Sequence, residues 1–468
     1  MRFETPRFKQ AAVVALHDER LRTALARSRV GFIGHREAAV EALPEFEQLR
    51  DTAAQIKDHV LDHLDYYLQR YEQAVVAAGG KVHWAHSDEE AQRIIVDICR
   101  AADAKVITKG KSMVSEEIGL NDALIAAGYE VVETDLGEYI IQLAKEPPSH
   151  IVGPALHKTR EQVTALFAEH HGRARKETVA ELVTEAREML RDKFFRADVG
   201  ITGGNFLIAE TGTSVIVTNE GNGDLTQTLP RVHIVTSGIE RVLPSLDDLP
   251  VFLRLLARSA TGQDTETYTT LSTGPRRAGD PDGPEEYHVV LVDNGRSQML
   301  GSRFRKMLRC IRCGACMNHC PVYGSVGGHA YGWVYPGPMG AVLTPIYQGL
   351  KDSYDLPNAC TLNGRCQSVC PVKIPLPEML RELRHLQHVE RMGPRLQRHA
   401  LAVWRFVASQ PWLYRIAEKL ATTTLARLGG PKRRVHKLPF AEGWTQSRDL
   451  PAPAGSTFLS QVPRSKRA

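Results

Sequence analysis

The sequence predicts an α/β domain with a mostly parallel sheet, then a cysteine-rich domain flanked by helices, then a basic helical C-terminal extension. Three observations predict it. Short apolar runs alternate with helical patterns from residue 81 to about 295. Seven of the eight cysteines fall between Cys310 and Cys370. From Arg391 to Leu438, eleven Lys/Arg stand with one acid, Glu418, so this stretch carries +10 in a chain whose net charge is +5.

The 468 residues suit about three domains. With 43% hydrophobic and 24% charged residues, the chain is ordinary globular material, which excludes collagen, rods and global disorder. No apolar run of about 18 residues is long enough to span a membrane. The most apolar late stretch, Ala400 to Leu420, is cut by Arg405, Arg415, Glu418 and Lys419. Glu4, Lys9, Asp18 and Glu19 break the start, and no apolar run follows a basic head, so a cytoplasmic protein is expected.

Residues 1–80 read as helices: one opens at Ala11–Leu16, and Ala38 to Ala78 keeps helical apolar spacing through Ile56, Val60, Leu61, Leu64, Tyr67 and Leu68 until Gly79-Gly80. In the α/β domain, 81–295, the runs are Lys81–Trp84, then a helix through Ile98. Next come Lys105–Thr108 and a helix near Ile118–Ala127. Tyr129–Val132, Ile140–Leu143 and Ile151–Val152 follow, and then a strand-rich part with Phe206–Ile208, Ser214–Thr218, Val232–Thr236 and Tyr287–Val292. Residues 262–286 include loop. Cys99, alone in an apolar helix, is expected in the core. The cysteine domain spans 296–390 and the extension 391–468, with a Pro-rich tail after Gly429-Gly430-Pro431 expected to be poorly ordered.

Cys310, Cys313, Cys316 and Cys320-Pro321 form C-x2-C-x2-C-x3-C-P, the bacterial ferredoxin run, in which the fourth cysteine reaches to a second cluster. Cys360, Asn363, Cys366 and Cys370-Pro371 repeat it, with Asn363 where a cysteine should stand. Gly314 and Gly364 correspond, and each lets the backbone bend around an inorganic core. Zinc sites often use two separated C-x2-C pairs, and disulfides do not suit a cytoplasmic chain. Crossed ligation assigns Cys310, Cys313, Cys316 and Cys370 to cluster one, a 4Fe–4S centre, and Cys320, Cys360 and Cys366 to cluster two. Cluster two is either 3Fe–4S or a 4Fe–4S centre with a non-cysteine ligand; asparagine is a poor iron ligand beside thiolate. The 39-residue link (321–359) and the helical patterns of Met299–Arg309 and Leu376–Val389 look like an α-helical ferredoxin.

On Lys109-Gly110-Lys111-Ser112-Met113-Val114-Ser115-Glu116-Glu117, Ala209-Glu210-Thr211-Gly212-Thr213 and the cysteine domain, the chain resembles the lactate-utilisation protein B family over nearly its whole length. The resemblance implies a middle domain related to the sugar-phosphate isomerase/CoA-transferase-like fold. It also implies electron transfer in oxidation of L-lactate to pyruvate, beside two partner subunits: a cysteine-rich iron–sulfur protein and a second lactate-utilisation-domain protein. A carrier of this kind should not turn over lactate alone. The alternatives are a carrier for another 2-hydroxy acid or a quinone-linked oxidoreductase, and an enzyme or acyl-group binder whose clusters sense redox state.

Within the α/β domain, Gly203, Gly204, Asn205 and Glu210 form a candidate ligand pocket, with Lys109 and Lys111 as sources of positive charge for a carboxylate or phosphate. The same residues also suit a plain turn, a solvated loop and a structural acceptor. There is no dinucleotide fingerprint or phosphate loop, and His17, His157 and His170 read as surface residues. No nucleic-acid partner is expected. The basic segment 391–438, with Trp404, Phe406, Val407, Trp412, Leu413 and Ile416 among its arginines, suits a solvated helix, a docking face for a partner, or peripheral contact with an anionic membrane.

Overall fold

Six parallel strands make the central sheet of the computed structural model, which describes residues 3–438, 445 and 448–462. In chain order the first ten strands are β1 (Lys81–Ala85), β2 (Val106–Lys109), β3 (Glu130–Glu133), β4 (Val199–Gly203), β5 (Phe206–Ile208), β6 (Thr213–Thr218), β7 (Val232–Gly238), β8 (Val242–Leu243), β9 (Tyr268–Ser272) and β10 (Glu286–Val292). The central order is β1-β10-β7-β4-β2-β3, and β8-β5-β6-β9 form a second, mixed sheet. From β2 the chain steps outward to β3, then returns to the other side of β2 for β4. The strand order therefore reverses between β2 and β4.

The central strands are apolar on both faces because both are covered. On one face, Ala91, Ile95, Ile98 and Cys99 of the helix Asp88–Ala101 meet Ile107, Ile201, Ile234, Val290 and Val292. That helix starts where Ser87 accepts a hydrogen bond from Glu90 N. On the other, Val60, Leu64, Tyr67, Leu68, Tyr71 and Val75 meet Val235, Val289 and Leu291. The alternation along β10 thus serves both layers. Cys99 is fully buried there, as expected.

Several elements differ from the sequence reading. The helical pattern of Ala38–Ala78 is three helices, ending at Glu41 and then running Phe46–Asp62 and Leu64–Ala77. Pro44 lacks an N–H to continue the ladder, and His63 leaves helical geometry at φ −131°, ψ 36°. Ile140–Leu143 lies in a helix, Leu136–Ala144, whose start Asp135 caps, and Ile151–Val152 is a bend. Strand β4 is masked in the sequence by its glycines. A Cβ on Gly200 would lie 1.7 Å from the Thr226 carbonyl, so glycine there lets the helix Asn222–Thr228 press onto the strand. The largely exposed β9 lies inside the region read as containing loop.

Residues 1–387 make one compact unit, so the N-terminal helices do not stand apart. Phe8, Leu25, Phe46 and Leu61 share a core with Met307, Tyr323, Trp333, Val342 and Leu380 of the cysteine region. Phe8 meets Tyr331 edge-on at 5.5 Å between ring centroids, and Glu4 N donates to the Gly332 carbonyl at 2.8 Å. After the cysteines, the chain continues in a helix at Leu376–Val389.

Residues 388–468 form a second unit. Its helices Arg395–Ser409 and Pro411–Leu428 bury no residue, and Trp404, Phe406 and Trp412 are exposed. Arg434–Val435 pairs antiparallel with Leu450–Pro451. Of the tail expected to be poorly ordered, 439–444, 446–447 and 463–468 lie outside the described residues, and Phe458–Gln461 is a helical turn. Among the described residues, no helix is long and apolar enough to cross a membrane.

Candidate metal centre

The two cysteine runs fold into the same turn twice. Arg312 and Leu362 are left-handed at φ 59° and 56°, and Gly314 and Gly364 follow at φ 77° and 81°. Each turn leads into a four-residue helix, Ala315–Asn318 or Arg365–Ser368, and then to Cys320-Pro321 or Cys370-Pro371. A non-glycine residue in this region costs about 1–2 kcal/mol, so Arg312 and Leu362 are held there by what surrounds them.

The turns exchange their last cysteines. Cys310, Cys313, Cys316 and Cys370 line a single cavity, closed by Met307, Ile311, Met339, Val372, Ile374 and Leu376. Cys320, Cys360 and Cys366 form the other group. Burial first, then Cys360 and Cys320, push the Cys366 thiol up to about 12. In the first cage, burial and the neighbouring sulfurs push Cys313 up to about 12 and raise Cys316 well above the usual thiol range. Cys370 rises to about 11, with burial the largest cause. None of the eight cysteines is disulfide-bonded. Converging buried thiols oppose one another's ionisation, and a cationic iron core with thiolate ligands removes that conflict. Backbone donors already address the sulfurs, among them Ile374 N to Cys370 Sγ at 3.4 Å, Tyr323 N to Cys320 Sγ at 3.5 Å and Leu362 N to Cys360 Sγ at 3.3 Å.

Buried cations surround the first cage. Arg296 donates to both Glu117 oxygens at 2.8 and 2.9 Å and to Glu240 at 2.7 Å. Tyr335 also donates to Glu117, and Lys57 to the Glu240 carbonyl. Arg241 and Arg312 stand 3.7 and 3.8 Å from Glu240. Burial opposes the Glu240 charge, but Arg296, Arg241 and Arg312 outweigh it and bring its carboxyl down to about 2. Burial brings Lys57 down to about 8. Four cations, Lys57, Arg241, Arg296 and Arg312, thus face two anions, Glu117 and Glu240. An anionic thiolate-ligated cluster offsets this excess, so the residues present fit the group. Two more arginines hold the crossing: Arg50 donates to the Cys370 carbonyl at 3.0 and 2.7 Å, and Arg36 to the Val369 carbonyl at 3.2 Å.

Asn363 occupies the turn position that Cys313 occupies in the other half. It is exposed, and its Oδ1 accepts from Arg365 N at 3.1 Å. In the first turn the Ala315 N–H addresses the Cys313 sulfur instead.

His150 pins the α/β domain to the first turn. Its Nδ1 accepts from Val152 N and Gly153 N at 3.0 and 3.1 Å, so Nε2 donates to Asn318 Oδ1 at 3.0 Å. A Cβ on Gly314 would lie 3.2 Å from Val152 Cγ2 and 3.4 Å from His150 Cε1. Burial brings His150 down to about 4, which keeps this neutral arrangement.

The pocket residues of the α/β domain divide. Gly203, Gly204, Asn205 and Lys111 line one cavity at the ends of β2 and β4, and Arg312 and Cys313 line the same cavity. Glu210 is outside it; the carboxylate is exposed and accepts from Leu246 N at 3.3 Å. Lys109 is fully buried against Glu133 at 2.9 Å and Glu116 at 3.0 Å, which outweigh burial and raise its pKa, so it is committed to structure. His17 and His170 are exposed. His157 is instead half-buried, bonded to Ser149 Oγ at 2.8 Å and Glu146 at 2.7 Å, and burial brings it down to about 4.

Sequence reasoning missed Arg50, Lys57 and Arg296. The first two left a signal, since they share an i, i+3, i+4, i+7 stripe with Ala53, Ala54, Val60 and Leu61, where a charge must be paired. Arg296 left none.

An α/β domain joined to doubled, crossed cysteine turns in a buried core defines an iron–sulfur protein of the dicluster ferredoxin class. The LUD domain matches residues 68–292, the 4Fe-4S dicluster domain 306–374, and the lactate utilisation protein B C-terminal model 381–465. Lactate utilization protein B of Bacillus licheniformis is 45% identical over 98% of this chain and 96% of its own. The uncharacterized electron transport protein YkgF of Escherichia coli is 42% identical over 97% and 95%. A DUF162 family crystal structure from Deinococcus radiodurans covers 49% of this chain and 98% of its own at 13% identity, and its TM-score of 0.29 carries no argument. The chain belongs to the lactate utilization protein B family.

Proposed function

We propose that this chain carries electrons in the oxidation of L-lactate to pyruvate, in the cytoplasm, within an assembly containing two other lactate-utilisation proteins. One is a cysteine-rich iron–sulfur protein and the other bears a second lactate-utilisation domain. The observation that carries this reading is the crossing of two cysteine cages inside one buried core, in a chain similar throughout to proteins named for lactate utilisation and electron transport.

Iron–sulfur clusters, when bound, pass single electrons at potentials set by charge, hydrogen bonds and exposure. Cys310, Cys313, Cys316 and Cys370 hold the first, and Cys320, Cys360 and Cys366 the second. Arg36 and Arg50 fix the carbonyls of the second C-P turn, so the cysteine shared across the halves keeps its aim. The excess of buried cations at Lys57, Arg241 and Arg312 favours the more negative, reduced state of cluster one. Thr361, Asn363 and Arg365 are exposed, which makes the second turn the surface edge of the relay. The exposed aromatics Trp404, Phe406 and Trp412 among arginines suit a face for a partner subunit.

The test is anaerobic purification with co-expressed partners followed by addition of L-lactate. Lactate-dependent reduction of this chain's clusters in the assembly, and none in the isolated chain, is expected. Clusters that stay oxidised in an intact assembly overturn the proposal, and turnover by the isolated chain overturns the carrier role.

A further inference from the structure

Three side chains that neither cysteine cage uses meet beside the link between the two cysteine runs. Glu146 and His157 follow the helix Leu136–Ala144, and His329 opens the helical turn His329–Tyr331 inside the link. One ligand atom from each side chain lies within 4.8 Å of the other two. The rings of His157 and His329 meet edge-on at 4.5 Å between centroids. Glycine lets the two segments come this close: a Cβ on Gly328 would lie 1.8 Å from the Ser149 carbonyl oxygen. Tyr323 donates to that same carbonyl at 2.9 Å and holds the segments in register.

Each ring is oriented through its outer nitrogen. His329 donates from Nε2 to the Pro147 carbonyl at 2.8 Å, which in the neutral ring leaves the lone pair on Nδ1. Ser149 Oγ donates its one proton to the Pro154 carbonyl at 2.9 Å. It therefore accepts from His157 Nδ1 at 2.8 Å, which leaves the His157 lone pair on Nε2. That Nε2 lies 2.7 Å from Glu146 Oε2. Lys158 holds the other carboxylate oxygen, Oε1, and so keeps Oε2 turned to the ring. A histidine that spends one ring N–H on a carbonyl or hydroxyl, and so fixes the direction of the other nitrogen, is oriented as metal-ligating histidines are. Without metal, a shared proton bridges Nε2 and Oε2; a divalent cation displaces it.

Glu146, His157 and His329 also line one cavity of about 330 Å³. Its charged lining is balanced, Asp18 and Glu146 against Arg20 and Lys158, so selection of an ion lies with the donor atoms rather than with the field. Two imidazoles and a carboxylate suit zinc, whereas calcium and magnesium take oxygen ligands. Three protein ligands leave a fourth position open, and the cavity has room for what fills it. We propose that Glu146, His157 and His329 bind one zinc ion at the edge of this cavity, where it ties the α/β domain to the cysteine region. The site is independent of the cluster cages and of the electron-carrying role.

The test uses the full-length protein, purified anaerobically with its clusters, equilibrated with zinc and freed of excess by gel filtration. About one zinc per chain should be retained, with iron and sulfide unchanged. Its X-ray absorption should show nitrogen and oxygen neighbours at ~2.0–2.2 Å and no sulfur at ~2.3 Å, which separates this site from zinc lodged among the cysteines. His157→Gln and His329→Gln should each weaken calorimetric zinc affinity about tenfold or more. His17→Gln, at an exposed position, should leave it unchanged. Glu146 is more exposed than His157, so Glu146→Gln decides the matter where a histidine variant loses its clusters, and it should weaken binding as well. No retained zinc, sulfur neighbours around it, or an affinity that all three substitutions leave within about twofold overturns the site.

Discussion

Replacing Asn363 by cysteine should complete cluster two. The backbone is already prepared, with φ of 56° and 81° at Leu362 and Gly364 against 59° and 77° at Arg312 and Gly314. Nothing lies within 4 Å of a Cβ on Gly364, so the second turn has more room than the first. The loss is one exposed hydrogen bond, Arg365 N to Asn363 Oδ1 at 3.1 Å. That costs about 0.5–1.5 kcal/mol at most, small beside a total stability of about 5–15 kcal/mol. The gain is a fourth thiolate for an iron otherwise lacking a strong protein ligand. Air-oxidised native protein should therefore give a 3Fe-type paramagnetic resonance signal, with iron near ~7 per chain. Asn363→Cys should lose that signal and raise iron toward ~8 per chain. If the native protein holds two equally stable 4Fe–4S clusters and the substitution changes neither, another group completes cluster two and the reasoning fails.

Cys313→Ser should lose cluster one and leave cluster two at least partly populated, read by iron content and resonance; loss of both together would contradict separate cages. Arg296→Met takes the guanidinium from between Glu117 and Glu240, leaves the buried Glu117 without its cation, and should cost about 3–5 kcal/mol in denaturant unfolding. His233 is buried, bonded to Thr202 at 2.8 Å, and burial brings it down to about 3 from 6.5. Its native pKa is depressed, so the unfolded chain takes the proton first and stability falls as pH drops from 6.5 toward 3. The contribution reaches about 2 kcal/mol by pH 5, and His233→Gln should flatten the stability profile over that window by this amount.

The sequence was most legible where chemistry demands a fixed spacing. The C-x2-C-x2-C-x3-C-P run and its imperfect copy name the residues that the fold gathers, because the short turns leave their sulfurs few places to go. Strands such as Val232–Thr236 and Tyr287–Val292 were legible because a sheet buried on both faces needs unbroken apolar runs. Strand β4 was not, since Gly200 and Gly203 serve close packing and an open crevice rather than strand propensity. Lys109 and Lys111 look alike in a one-dimensional reading. Only the tertiary arrangement of Glu116 and Glu133 commits the first to structure and leaves the second at the cavity. Glu210 was misplaced for the same reason, because β5 and β6 turn it away from Gly203. The role of residues 1–80 was the least legible, as Arg36, Arg50 and Lys57 find their partners only once the cysteine region and the turn Ile239–Arg241 have folded onto them.

Metal and sulfide analysis of the anaerobically purified chain tests the central claim most directly. A brown protein is predicted, with iron and acid-labile sulfide sufficient for two clusters per chain. Stoichiometric zinc with no acid-labile sulfide would contradict the account, since tetrahedral zinc has no use for crossed cages of four and three thiolates.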